Sequence, residues 1–155
     1  MDAAPPSETD DPVALARAIK SWGRTLGFQQ VGITRTELGQ DEAHLERWLA
    51  LGRHGDMDWM ARHGRRRSRP AALVPGTVTV ISGRMDYLPP AVAEAWSVMA
   101  DPSLGFVSRY ALGRDYHKVL RRRLQRLADR IEETVGPFGY RAFVDSAPVL
   151  EKALA

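Results

Sequence analysis

The sequence predicts a mixed α/β domain, a short-stranded sheet flanked by helices, and three observations carry that reading. Two long segments repeat apolar residues at helical spacing between recognisable start and stop signals. Only about three short runs, "QVGIT", "TVTVIS" and "RAFV", have the character of strands. At 155 residues, 44% apolar and 26% charged, the chain is long enough for one domain with a real core and too short for two.

Residues 1–10 are acidic and proline-containing, and read as a flexible tail on a cytosolic protein, unlike a secretory signal or a mitochondrial leader. The domain runs from 11 to 155. "DPVALARAIKSWGRTLGF" opens it as a helix, with Val13, Leu15, Ala16, Ile19, Trp22 and Leu26 on one side, Asp11 as cap and Gly27 as stop. "FQQVGIT" follows as a short strand. Residues 42–51 form an amphipathic helix with Leu45, Trp48 and Leu49 on one face and Gly52 at its end. "GDMDWMARHG" is a third, short helical piece, and "RPAALVPG" a proline-bounded link to "TVTVIS", the clearest strand.

Residues 83–104 read as loop with a short helix over 91–99. From Asp115 the pattern is strongly helical through Tyr116, Val119, Leu120, Leu124, Leu127, Ile131 and Val135, and Gly136-Pro137 ends it. "RAFV" then reads as a strand. "SAPVLEKALA" starts a helix capped by Asp145 or Ser146, with Pro148 in its first turn, and the chain stops inside that helix.

Composition narrows the chemistry. The chain has no cysteine, which excludes disulfides, thiol nucleophiles and cysteine-held zinc or iron–sulfur clusters within these residues. Its four histidines show no metal-ligand spacing. No apolar run approaches the roughly 18 residues that span a bilayer. Net charge is +3 and the sequence pI about 9.6, so the placement of the arginines decides whether an anion is bound.

Three constellations stand out. "RHGRRRSRP", residues 62–70, packs five arginines and a histidine into nine residues, either a solvated basic turn or an anion contact. The second is Asp115, Tyr116 and His117 at a helix start, after a Gly113 that permits close backbone approach. An acid, a phenol and an imidazole could position a polar ligand there, although consecutive helical residues do not share one face. Arg121, Arg122, Arg123 and Arg126 lie mostly opposite that helix's apolar stripe, the ordinary position for a solvated basic face. The third is "FVDSAP", where Asp145 at a strand end is either a helix cap or a carboxylic acid presented to a ligand.

Taken in order, "LGFQQVGIT", "HGDMDWMARHG", "RPAALVPGTVTVIS", "VSRYALGRDYHKVLRRRL" and "FVDSAPVLEKALA" resemble the N-terminal part of epoxyqueuosine reductase over roughly residues 11–155. The resemblance implies an oxidoreductase of queuosine biosynthesis that converts epoxyqueuosine to queuosine at the wobble position of a tRNA anticodon. It implies a cobalamin cofactor, electrons from iron–sulfur clusters, a cytoplasmic location and a full-length monomer. It also implies that Asp145 protonates the departing oxygen, that Arg67 and Ser108 line the corrin, and that Asp115, Tyr116 and His117 neighbour it. The cluster-binding and helical-repeat regions of such enzymes have no counterpart here, so the expectation is a fragment with little or no turnover by itself. Two other readings stay open: a stand-alone corrinoid-binding module, and a basic tRNA-binding domain without catalysis.

Overall fold

The computed structural model describes residues 11–88 and 93–155. Asp11 opens helix α1 (Pro12–Thr25): its carboxylate accepts a hydrogen bond from the Val13 amide at 2.8 Å, and Pro12 occupies the first helical position, where no amide is needed. Gly27, at φ +89°, turns the chain out of the helix so that Phe28 enters the core. Strand β1 (Gln30–Thr34) follows, then α2 (Gly39–Ala50), α3 (Asp58–Arg62), a 3-10 turn over Gly64–Arg67 and α4 (Pro70–Leu73). Strand β2 (Val80–Arg84) is succeeded by α5 (Ala95–Ala100), a 3-10 turn at Arg109–Ala111, the long α6 (Tyr116–Val135) and a terminal turn α7 (Glu151–Leu154).

The two strands pair antiparallel, with Val31 opposite Gly83 and Ile33 opposite Ile81. Because strand side chains alternate, those four residues share the face that meets α1 and α6. There Ile19, Phe28, Val31, Leu127 and Ile131 form the core, flanked by Leu15, Trp22, Leu26, Ile33, Ile81, Leu120 and Leu124. The opposite face carries Gly32 and Ser82; Ser82 donates its hydroxyl to the Leu154 carbonyl at 3.3 Å, which seats α7 there. Helices thus flank a short sheet, the architecture expected from the sequence.

Several local expectations change. "TVTVIS" contributes a strand only from Val80 onward. Residues 89–92 lie outside the described part, so the expected helix over 91–99 is described only as α5, which Glu94 caps by accepting from the Ser97 amide. The tail, residues 1–10, is likewise outside the described residues. "RAFV" is not a strand: an extended run needs a hydrogen-bonded neighbour, and β2 pairs with β1 alone. The helix expected from Ala147 or Pro148 begins instead at Glu151. Before it, the Leu150 amide is drawn to the Arg67 carbonyl at 3.0 Å, which holds the backbone out of helical register.

The basic turn is tied down by carboxylates of α2. Arg69 grips Glu42 with two hydrogen bonds of 2.7 and 2.9 Å, Ser68 donates to the same carboxylate at 2.5 Å, and Arg65 donates to Glu46 at 2.7 Å. The Arg69 hydrogen bonds, helped by Ser68, hold Glu42 down to about 2. A depressed carboxylate contributes stability that is present above its ordinary range and lost as pH falls through the depressed value. Urea unfolding between about pH 5 and about pH 2 should therefore show a smaller acid-side loss in Glu42→Gln than in the wild type. Parallel curves would mean that the clasp does not hold the fold.

Candidate active site

The apolar stripe of α6 explains why the site forms at its first turn. Leu120, Leu124 and Leu127 commit one side of the helix toward the sheet, so its N-terminus is carried to the end of the packed layer. Gly113 precedes it at φ +86°, with open space around a would-be Cβ; the backbone turn, not a close approach, calls for glycine there. Asp115 is the helix cap, and its carboxylate accepts the His117 amide at 3.0 Å. Since a cap residue is not itself helical, its side chain folds back over the first turn. Asp115 Oδ1 thereby lies 3.1 Å from His117 Nδ1.

Asp145 comes to the same place from the other direction. The segment after α6 runs back without regular structure, and Asp145 sits in it at φ 52°, the one non-glycine residue at positive φ among the described residues. Asp is among the few residues that tolerate this conformation, and such outliers concentrate where a side chain must be aimed. Tyr116 donates its hydroxyl to Asp145 Oδ2 at 2.5 Å, and His117 Nε2 lies 3.7 Å from that same oxygen. Asp145 therefore caps no helix; α7 starts six residues later with no side-chain cap.

The environment sets the protonation pattern. Hydrogen bonding to Asp145, followed by desolvation and the charge of Asp145, pushes the Tyr116 phenol up to about 12, so it stays a neutral donor. The His117 contact lowers Asp115. Glu151, at the start of α7, is raised by burial and then by the charge of Asp145. The Tyr110 ring packs edge-on against Tyr116 at 5.8 Å between centroids. An apolar cleft of about 570 Å³ lies beside this cluster, walled by β2 residues such as Val80 and Ile81, by Leu124 and Leu127, and by Phe143; Tyr116 and Asp145 supply polar groups to its wall.

Of the residues singled out from sequence, Asp115, Tyr116, His117 and Asp145 come together. Ser108 is exposed just before the 3-10 turn that carries Tyr110, close to the cluster in chain but without a hydrogen bond to it. Arg67 is elsewhere. It is 7% exposed, its guanidinium donates to the Trp59 and Met60 carbonyls at 2.7 and 3.0 Å, and it stacks over the Trp59 ring. Its link to the Asp145 segment is the backbone bond from Leu150. Arg123 also departs from a solvated face, donating to the Gly27 carbonyl at 3.1 Å. Tyr110 and Glu151 were not singled out; Tyr110 lies in the string "SRYALGRDYHK", whereas nothing local marks Glu151. Among the described residues no cluster of histidine and carboxylate side chains could hold a metal ion, and no helix is long and apolar enough to cross a membrane.

Residues 67–146 match the family model described as epoxyqueuosine reductase QueG, DUF1730. The chain belongs to the epoxyqueuosine reductase QueG family. Every site residue named from the sequence, from Arg67 to Asp145, falls inside that QueG match. An epoxyqueuosine reductase of Pseudomonas aeruginosa is 68% identical over 145 residues, which cover 94% of this chain and 40% of that protein. One of Xanthomonas campestris pv. campestris is 59% identical, covering 94% of the chain and 41% of that protein. One of Escherichia coli is 56% identical over 149 residues, covering 96% and 39%. The chain thus spans about two fifths of the length of these QueG relatives. No solved structure matches it.

Proposed function

We propose that this chain is the acid-bearing, cofactor-facing part of an epoxyqueuosine reductase, which acts in the cytoplasm on epoxyqueuosine in the tRNA anticodon and yields queuosine. The observation that carries the reading is the aim of Asp145: a carboxylate held at positive φ, bonded to a phenol that stays protonated, at the polar wall of an apolar cleft. Family membership names the reaction.

The residues present fit a corrinoid. Such a ligand needs a broad apolar surface with scattered polar groups for its amide side chains. Leu104, Phe106, Val107, Tyr110 and Leu112 are all exposed along the stretch that ends at Tyr116, with Ser108 among them. In this reading Ser108, Tyr110, Asp115, Tyr116 and His117 border the cofactor. Arg67, whose buried guanidinium is committed to the Trp59 and Met60 carbonyls, does not border it and instead anchors the turn that holds Leu150. When bound, reduced cobalamin supplies the electrons that open the epoxide, replenished from iron–sulfur clusters in the remainder of the full-length protein. Asp145 gives its proton to the departing oxygen, and the Tyr116 hydroxyl steadies the carboxylate left behind.

The test uses a full-length enzyme that contains this chain, loaded with cobalamin and supplied with a low-potential reductant. An anticodon stem-loop bearing epoxyqueuosine should lose the mass of one oxygen atom. No conversion by an enzyme whose absorbance shows bound corrinoid would sink the reading.

A further inference from the structure

We infer that His117 is the relay that reloads Asp145 with a proton after each turnover, and that Asp115 is the positioning residue that sets the relay's direction. The inference rests on the proposed role of Asp145 and adds the step that role leaves open. An acid that has donated its proton is a carboxylate, and it cannot serve again until a proton returns.

The geometry supplies the route. Asp115 Oδ1 lies 3.1 Å from His117 Nδ1 and, being a carboxylate, can only accept. The neutral ring is therefore held with its hydrogen on Nδ1 and its lone pair on Nε2. Nε2 is the atom that faces Asp145 Oδ2, 3.7 Å away. That distance is longer than a hydrogen bond, as catalytic contacts often are before a substrate closes the site. The His117 side chain is 51% exposed, so its ring also meets water.

The hydroxyl bonded to Asp145 is not the source of the returning proton. Tyr116 bonds Asp145 but holds its proton too tightly to give it up. Tyr110 packs on the Tyr116 ring, and Glu151, on α7, has no hydrogen bond to Asp145.

The step balances without any oxidant or reductant. The imidazolium form of His117 transfers its Nε2 proton to Asp145 Oδ2; the N–H bond breaks, an O–H bond forms, and the electron pair stays on Nε2. The ring, now neutral with Nδ1–H on Asp115, takes a proton from water at Nε2. Each pass of the relay carries one solvent proton to Asp145.

Reloading predicts a kinetic pattern that a structural role does not produce. In the full-length enzyme, prepared at mildly acidic pH with reductant in excess, His117→Gln should lose its later turnovers far more than its first, so that the ratio of steady-state to first-turnover rate falls below that of the wild type. Later turnovers should slow at least about tenfold. Free imidazole should restore the steady state of His117→Ala. In the full-length enzyme with 15N-labelled histidine, the neutral His117 ring should carry its hydrogen on Nδ1, and Asp115→Asn should weaken that preference. An unchanged steady state in His117→Gln would overturn the relay and leave the acid role of Asp145 standing. Equal loss of first and later turnovers, or a neutral ring protonated on Nε2, would overturn it too. Retained turnover in Asp145→Asn would instead remove the reading on which it rests.

Discussion

Asp145→Asn in the full-length enzyme should lower the rate of epoxyqueuosine reduction by about 10²- to 10⁴-fold, the usual contribution of a positioned proton donor, while cobalamin binding is unchanged. The choice of asparagine follows from the backbone. Asp145 sits at φ 52°, where most side chains crowd the following carbonyl and cost about 1–2 kcal/mol. Alanine there would combine a lost acid with a strained loop, and a reduced rate could be blamed on either. Asparagine tolerates the left-handed region as well as aspartate does. Its amide oxygen can still accept the Tyr116 hydroxyl, so the loop keeps its anchor. What it lacks is the acidic proton. A corrinoid absorbance spectrum equal to that of the wild type, measured beside the rate, checks that the site is intact. Normal turnover with that spectrum would show that another group, or water, protonates the leaving oxygen.

The parts of the fold that were legible in the sequence are those whose causes are local. Asp11-Pro12 marks the start of α1 because a cap and its first turn lie within a few residues, and the α6 stripe repeats often enough to outweigh its many arginines. "RAFV" misled because strand propensity describes a residue's fitness for a sheet, whereas a strand also needs a partner edge, and that depends on distant chain. The start of α7 misled in the same way: Pro148 favours a helix start, but the bond from Leu150 to Arg67 spans more than eighty residues and overrides it. The candidate site divides along the same line. Asp115, Tyr116 and His117 were visible as types, yet their convergence was not, because Asp115 is a cap and does not follow the facing of helical residues. The contact between Tyr116 and Asp145 crosses 29 positions and needs the return of the chain along α6. Conversely, the arginine run of 62–70 looked more available to an anion than it is. Arg65 and Arg69 are held by carboxylates and Arg67 is buried, which weakens the case for a purely electrostatic RNA-binding domain.

Phe28→Ala should destabilise the chain by about 3–5 kcal/mol, the largest stability effect expected of a single core change here. Phe28 is 2% exposed and joins the end of α1 to the sheet, with Ile19, Val31, Leu127 and Ile131 around it. Its ring also lies directly over Gly83, where an added Cβ would come within 2.9 Å of two ring carbons. Gly83→Ala alone should therefore cost about 1–3 kcal/mol by overpacking, since the strand backbone and a ring locked by the core must both give way. The two changes are complementary in volume. In the Phe28→Ala background the methyl group at position 83 enters space the ring has left, so the double variant should be more stable than the sum of the single losses predicts. Urea midpoints of the four proteins give the coupling directly, provided the slopes stay equal. Additive losses would mean that the ring leaves Gly83 in solution, and that the core is closed over β2 by other side chains.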